Sequence, residues 1–423
     1  MLLAGMVFKT HLWGPPSGGP IRLKPDPTHA RLLDFALVLA LAAVALQLVP
    51  LSPGLRGRLA PAAVAYDRAM RFETIAATER PLSIEPRETL LALIVAASIV
   101  LLFWCLRTMF ERRGRVRALI RVLAWIGLFL SPLAIVQHIM PIAVLDDVWG
   151  LTSRGLRPYG PFVNRNDFAG WLLMVIPLTL GYAVAHMQSR HRAGESLDPE
   201  IAVDSKSIWL AMAACLMVGG LLGSLSRSGL LGAFAGVVFF AVISHRRLTA
   251  RRAGLAIIGL AALLAIGATY ADMGALATRL EGSFSEGVAS RLSIWRQTWP
   301  VVRAFWPLGT GAGTYQAVMV LYQTISRFFY ISHADNEFLQ ILTEGGLLLG
   351  VPVALAIGAG AWLAAQRLRE DRTAIFWLRA GAVAGIVALA TQNMVEMTLR
   401  VPANSVLFAI CAAIAIHDNT AQR

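Results

Sequence analysis

An imidazole, an amide and a carboxylate stand close together near the carboxy-terminal end of this chain, in His333-Ala-Asp-Asn336-Glu337-Phe-Leu-Gln340. Spaced i, i+3, i+4 and i+7, His333, Asn336, Glu337 and Gln340 share one face if the segment is helical. An unperturbed imidazole titrates near pH ~6.5, which suits His333 to taking a proton from a hydroxyl nucleophile. Glu337, one turn on, can orient the ring or act as the base itself. The same residues can also do no more than start a helix, capping backbone groups and facing water. His333, Asp335 and Glu337 make a poor metal site, because they offer one imidazole and diverge on a helix. No metal and no cofactor is expected.

Three arginines extend the chemistry to anions. Arg227 lies in Gly223-Ser-Leu-Ser226-Arg227-Ser228-Gly229, between two apolar runs with almost no loop. A guanidinium there costs several kcal/mol unless it is paired or reaches water. Ser224, Ser226 and Ser228 supply hydroxyls around it; the alternative is snorkelling to the headgroups. Arg291, in Ser290-Arg291-Leu-Ser-Ile-Trp295, is by itself an ordinary surface arginine. Arg165 sits in Asn164-Arg165-Asn166-Asp167-Phe168-Ala169, where Asn166 or Asp167 is expected to cap a helix. Guanidinium groups bind phosphate in bidentate fashion and stay charged at physiological pH, so the three together suggest an anion site. Gly309-Thr-Gly311-Ala-Gly313-Thr314-Tyr315 looks like a phosphate loop but has no Lys after its glycines and follows no strand pattern. It reads better as a flexible turn carrying Tyr315.

The elements that must position these residues are membrane helices. The chain is 57% hydrophobic and 15% charged, against about 25% charged in soluble domains. Ten spans are predicted, at roughly 33–52, 89–106, 118–137, 168–187, 207–224, 229–244, 253–271, 346–366, 376–392 and 404–417. Arginines cluster in alternate loops, as Arg107, Arg112, Arg113, Arg115, Arg117 and Arg121, then Arg246, Arg247, Arg251 and Arg252, then Arg367, Arg369, Arg372 and Arg379. The positive-inside rule puts these loops in the cytoplasm and 53–88, 138–167, 224–229 and 272–345 outside. The longest outer loop carries Trp295, Trp299, Phe305, Trp306, Tyr315 and Tyr322, which suggests amphipathic helices against the membrane surface. The predicted organisation is a cytoplasmic segment 1–32, seven spans over 33–271, the outer loop 272–345, the last spans over 346–417 and a cytoplasmic tail 418–423. The polar first 30 residues lack an apolar signal core, so the first span is expected to act as an uncleaved anchor. The net charge of +13 is scattered between spans, which argues against nucleic acid as a partner. Cys105, Cys215 and Cys411 lie in apolar runs without metal-ligand spacing and read as small packing residues.

In order and spacing, Asn164-Arg165-Asn166-Asp167-Phe168-Ala169, Ser226-Arg227-Ser228-Gly229, Arg291…Trp295, Gly309-Thr-Gly311 and His333-Ala-Asp-Asn336-Glu337-Phe338-Leu339-Gln340…Glu344-Gly345-Gly346 resemble the O-antigen ligase and polymerase superfamily. The resemblance runs from about 140 to 350. Pro81-Leu-Ser-Ile-Glu-Pro86 also looks like members that make exopolysaccharides. The resemblance implies an all-α, GT-C-like glycosyltransferase of about ten to twelve spans in the bacterial inner membrane, with its active site facing the periplasm. The implied donor is a glycan on a polyprenyl diphosphate, usually undecaprenyl. The implied acceptor is lipid A–core for a ligase or another lipid-linked glycan for a polymerase. Membrane lipids surround it, and transfer inverts the anomeric centre without a metal. Arg227 and Arg291 would hold the diphosphate, with Arg165 as a third cation. His333 would act at the acceptor hydroxyl with Glu337, supported by Ser226, Asn164, Asn166, Asn336 and Tyr315. Many members carry a second His two residues after the first; here that position is Asp335. A flippase for lipid-linked sugars or a non-catalytic assembly protein is the alternative. The flippase should bury basic residues along a central path, whereas the polar residues here gather on one side.

Overall fold

Apolar runs of about twenty residues can satisfy their backbone in lipid only as helices, and helices dominate the computed structural model. It describes residues 27–70, 79–110, 114–139, 159–192, 204–245, 247, 291–324 and 331–417. In chain order the helices are α1 Pro27–Leu46, α2 Pro53–Leu59, α3 Pro61–Met70, α4 Pro86–Phe110, α5 Arg115–Ile139, α6 Arg165–Arg192, α7 Ser205–Gly223, α8 Arg227–Ser244, α9 over 291–304, α10 Tyr315–Tyr322, α11 Glu337–Glu370, α12 Ile375–Gln392 and α13 Pro402–Ile416. A short 3-10 turn, Thr398–Arg400, precedes α13. Among the described residues there is no strand, only the isolated bridges Leu51–Arg80 and Tyr159–Phe162. Eight of these helices are long and apolar enough to cross a membrane, and the protein is a multi-pass, all-α membrane protein. Nine of the ten predicted spans coincide with helices, although α13, at 15 residues, is short. The span predicted at 253–271 lies outside the described residues.

The chain divides into two compact units. The first comprises Met1–Leu102 and Ser285–Gln366, the second Phe103–Phe284 and Arg367–Arg423. In the first, the predicted outer loops 53–88 and 272–345 share one apolar core. Ala63, Tyr66 and Ile84 from one loop are buried with Val301, Phe305, Tyr315, Met319 and Ala334 from the other. Beside it, the buried Asp67 carboxylate pairs with Arg56 at 2.7 Å and Arg80 at 3.2 Å, tying α2 and α3 to the segment before α4. A small cap packed against itself therefore stands at one end of this unit's spans.

The second unit is built on backbone contact. A Cβ on Gly381 of α12 would overlap the Pro177 carbonyl of α6, and one on Gly181 of α6 would overlap the Trp377 carbonyl. A Cβ on Gly232 of α8 would lie 2.6 Å from the Ala388 carbonyl oxygen. Small residues let the three helices approach more closely than side chains would permit, the usual basis of packing within lipid. Arg379, predicted as a loop charge, is instead buried in α12. Its Nη1 donates to Asp371 at 2.9 Å and its Nη2 to the His417 carbonyl at 2.7 Å. A buried cation needs such partners, so Arg379 is a structural cross-tie. Of the three cysteines only Cys411 is buried; Cys105 and Cys215 are exposed and contribute little packing.

Candidate active site

His333 stands in a short non-helical segment of the first unit, held firmly on both sides of its neighbour. The Ala334 N–H donates to Gln340 Oε1 at 2.9 Å, and the Ala334 carbonyl accepts from Trp295 Nε1 at 2.9 Å. With both peptide groups engaged this way, Ala334 cannot join a helical ladder. Asp335 has φ +48°, and Asn336 accepts the Leu339 N–H at 2.9 Å through its side chain, an N-cap at the start of α11. The expected helical face joining His333 to Glu337 is therefore not formed. Glu337 is the first residue of α11, Asn336 its cap, and His333 is exposed on the support before it.

Arg291 reaches the same place from α9, one turn before Trp295. Burial raises the Asp335 carboxyl above its ordinary value, while the charges of Arg291 and His333 beside it pull it down. The structure thus brings Arg291, His333 and Asp335 together, with Glu337 two residues on. A left-handed non-glycine residue stores strain that the surroundings must hold. Among the described residues only Asp335 and Leu225, at φ +51°, are of this kind. One lies two residues after His333, the other two before Arg227.

The glycine loop is a clamp, not a flexible turn. Gly309, Gly311 and Gly313 all have positive φ, and a Cβ on Gly311 would overlap the Ser83 hydroxyl. Its N–H groups converge on Glu344 of α11. Gly311 donates to the Glu344 carbonyl at 2.9 Å, Gly313 to Oε2 at 2.9 Å and Tyr315 to Oε1 at 3.3 Å. Gln340 Nε2 also donates to Glu344 Oε1 at 2.9 Å, so the clamp runs on to Ala334 beside His333. Tyr315 is buried, with its hydroxyl 2.7 Å from Thr298 Oγ1, and burial pushes that phenol up to about 12. It packs the cap. Pro81–Pro86 closes the other side, where the Ile84 N–H donates to the Thr310 carbonyl at 3.0 Å.

Arg165 and Arg227 belong to the second unit, each at the first position of a helix. Asn164, rather than the expected Asn166 or Asp167, caps α6: its side chain accepts the Asn166 N–H at 2.9 Å. Ser226 caps α8, accepting the Gly229 N–H at 3.1 Å, and lies 3.2 Å from the Ser228 hydroxyl. Ser224 donates to the Leu221 carbonyl at 2.6 Å. These hydroxyls, expected around the guanidinium, build the turn that presents it. The starts of α6 and α8 touch, since a Cβ on Gly229 would sit 2.9 Å from that of Ala169. Arg165 is exposed and Arg227 partly buried at this one end of the unit.

Sequence reasoning missed Glu344 as a clamp and passed over Glu396, which accepts from Asn166 Nδ2 at 2.9 Å. Each is a lone carboxylate among apolar residues, and that isolation was the available signal. Among the described residues no group of three or more His, Cys, Asp or Glu side chains could hold a metal.

No curated protein matches the chain. The family model described as O-antigen ligase matches residues 212–354, a stretch that takes in Arg227, Arg291, His333, Glu337 and Glu344 and leaves Arg165 and Glu396 outside. Members of that family are glycosyltransferase-like ligases and polymerases acting on lipid-linked glycans, and over residues 212–354 the chain is similar to them.

Proposed function

We propose that the protein transfers a glycan from a polyprenyl diphosphate, of the undecaprenyl type, to an acceptor hydroxyl at the periplasmic face of the bacterial inner membrane. The acceptor is lipid A–core or another lipid-linked glycan. The observation that carries this reading is the grouping of an exposed imidazole with a guanidinium on a rigid support. The charges of Arg291 and His333 both act on the Asp335 carboxyl, and Ala334 is fixed from two directions.

In this reading His333 takes the proton from the attacking hydroxyl as its oxygen bonds to the anomeric carbon. The bond from that carbon to the diphosphate oxygen breaks, the electron pair leaves with the lipid diphosphate, and the anomeric centre inverts. Glu337, at the start of α11, is the alternative base. Arg227, Arg291 and Arg165 are assigned to the diphosphate, whose growing negative charge fixed cations stabilise better than mobile water. The chain's own side chains suffice for these steps, so no metal is assigned a role. The clustered arginines of the 107–121 and 246–252 loops support a cytoplasmic position for them and an outside position for His333.

The test is reconstitution of the full chain in proteoliposomes with a polyprenyl-diphosphate-linked glycan and each acceptor in turn. Product on lipid A–core makes it a ligase; a lengthened lipid-linked glycan makes it a polymerase. Glycan movement across the bilayer without any new glycosidic bond would overturn the reading in favour of a flippase.

A further inference from the structure

Glu396 follows α12 by four residues and is only 7% exposed. Its Oε1 accepts from Asn166 Nδ2 at 2.9 Å and from Ser228 Oγ at 3.4 Å, long for a hydroxyl donor. Asn166 follows Arg165 at the start of α6, and Ser228 follows Arg227 at the start of α8. One oxygen from a third piece of chain therefore spans two arginine-bearing helix starts. Gln392 reinforces the grip, donating to the Asn166 carbonyl at 2.9 Å.

The electrostatics at this point need a holder. Each helix start carries about +0.5 of a charge from its own backbone, and each adds a guanidinium. Two such starts in contact repel, and only Asp167, in the first turn of α6, adds an acidic group within either helix start. Glu396 lies between them and bonds to the residue after each arginine. Burying a carboxylate is costly unless it is well bonded, and an apolar side chain would fill this position without that cost.

We infer that Glu396 is a positioning residue for the anion-binding arginines: by gripping Asn166 and Ser228 it sets where Arg165 and Arg227 stand. This rests on the diphosphate role proposed for Arg227. It adds a residue outside the segment matched to the family.

The test measures binding of farnesyl diphosphate, a short polyprenyl diphosphate, to the purified full chain by calorimetry. Glu396→Ala should weaken binding roughly tenfold, the scale of one lost hydrogen bond to a charged group. Glu396→Gln keeps an oxygen acceptor and should stay within about threefold of the parent. Arg227→Ala should weaken binding on its own, and adding Glu396→Ala to it should cost little more. That non-additivity is the mark of positioning through the arginine, since a merely structural loss would add. Unchanged binding in Glu396→Ala, or additive losses in the double variant, overturns the positioning role and leaves the diphosphate reading intact. Undiminished binding in Arg227→Ala, or none by the parent, overturns both. If Glu396→Ala does not accumulate, Asn166→Ala cuts the same tie from the other side and carries the same expectations.

Discussion

Glu344 accepts the Gly313 N–H at 2.9 Å, so the anion seated in the glycine loop is the protein's own side chain. Glu344→Ala orphans the Gly313 and Tyr315 N–H groups and one Gln340 amide hydrogen together. It should destabilise the cap by about 3 kcal/mol or more, read as a lowered thermal midpoint in detergent. Glu344→Gln keeps one acceptor and should cost less. An unshifted midpoint in Glu344→Ala would mean that the clamp contributes nothing.

Arg227→Ala should abolish transfer while the protein still inserts and folds. Arg227→Lys should recover little, because an ammonium cannot make the paired contacts of a guanidinium. Arg291→Ala should behave like Arg227→Ala, and Arg112→Ala should be nearly silent. Near-normal turnover by Arg227→Ala on a lipid-linked donor would remove the diphosphate role.

His333→Ala should lose roughly 10²–10⁴-fold, mostly in turnover, the range for a lost general base. Because His333 lies outside α11, this change should leave the helix intact. Asn336→Ala, by contrast, should cost about 1 kcal/mol of stability through the lost cap. Transfer should persist in EDTA. Full activity in His333→Ala, with loss only in Glu337→Ala, would move the base to the carboxylate.

The Asp335 carboxyl, raised above its ordinary value by burial, gives a pH signature. A group whose folded value is raised contributes stability that is present below the unfolded value, about 3.9. That contribution is lost as pH rises through the folded value. The Asp335 contribution should therefore fall from about pH 4 upward through that interval. Asp335→Asn, which also tolerates the left-handed backbone, should flatten the dependence and raise the neutral-pH midpoint. A variant that kept the parent's pH dependence would contradict this.

Sidedness can be read with single cysteines in a background lacking Cys105, Cys215 and Cys411. With an impermeant thiol reagent on intact cells whose outer membrane has been permeabilised, His333→Cys should label and Arg113→Cys should not. The reverse pattern would invert the assignment.

Most helices were legible because an apolar run of twenty residues admits few other structures. The reactive residue types were legible too, since Arg227 between spans and His333 beside Glu337 stand out chemically. The geometry joining them was not. Whether 333–336 continues α11 depends on Gln340 and Trp295 engaging the Ala334 peptide groups, and Trp295 lies 39 positions away in the chain. Glu396 acquires meaning only through Asn166, 230 positions earlier. Arg379 read as a loop cation because its partner Asp371 is indistinguishable by spacing from a solvated neighbour. Local pattern fixes which residues are unusual, while long-range contacts decide which of them are structural.

Gly346, at φ +53°, breaks α11 and is wedged against Pro307, whose carbonyl accepts the Leu347 N–H at 2.7 Å. An unbroken helix of 34 residues would be about 51 Å long, against a hydrocarbon core of about 30 Å. With the predicted span at 346–366, the length after Gly346 lies in the lipid and the elbow frees the turns before it to leave the membrane normal. Because the elbow is wedged, the height of the His333 segment above the acyl chains is set by the protein and not by the thickness of the bilayer. A bilayer a few ångströms thinner or thicker would have to deform around the protein, while the imidazole kept its level relative to the elbow.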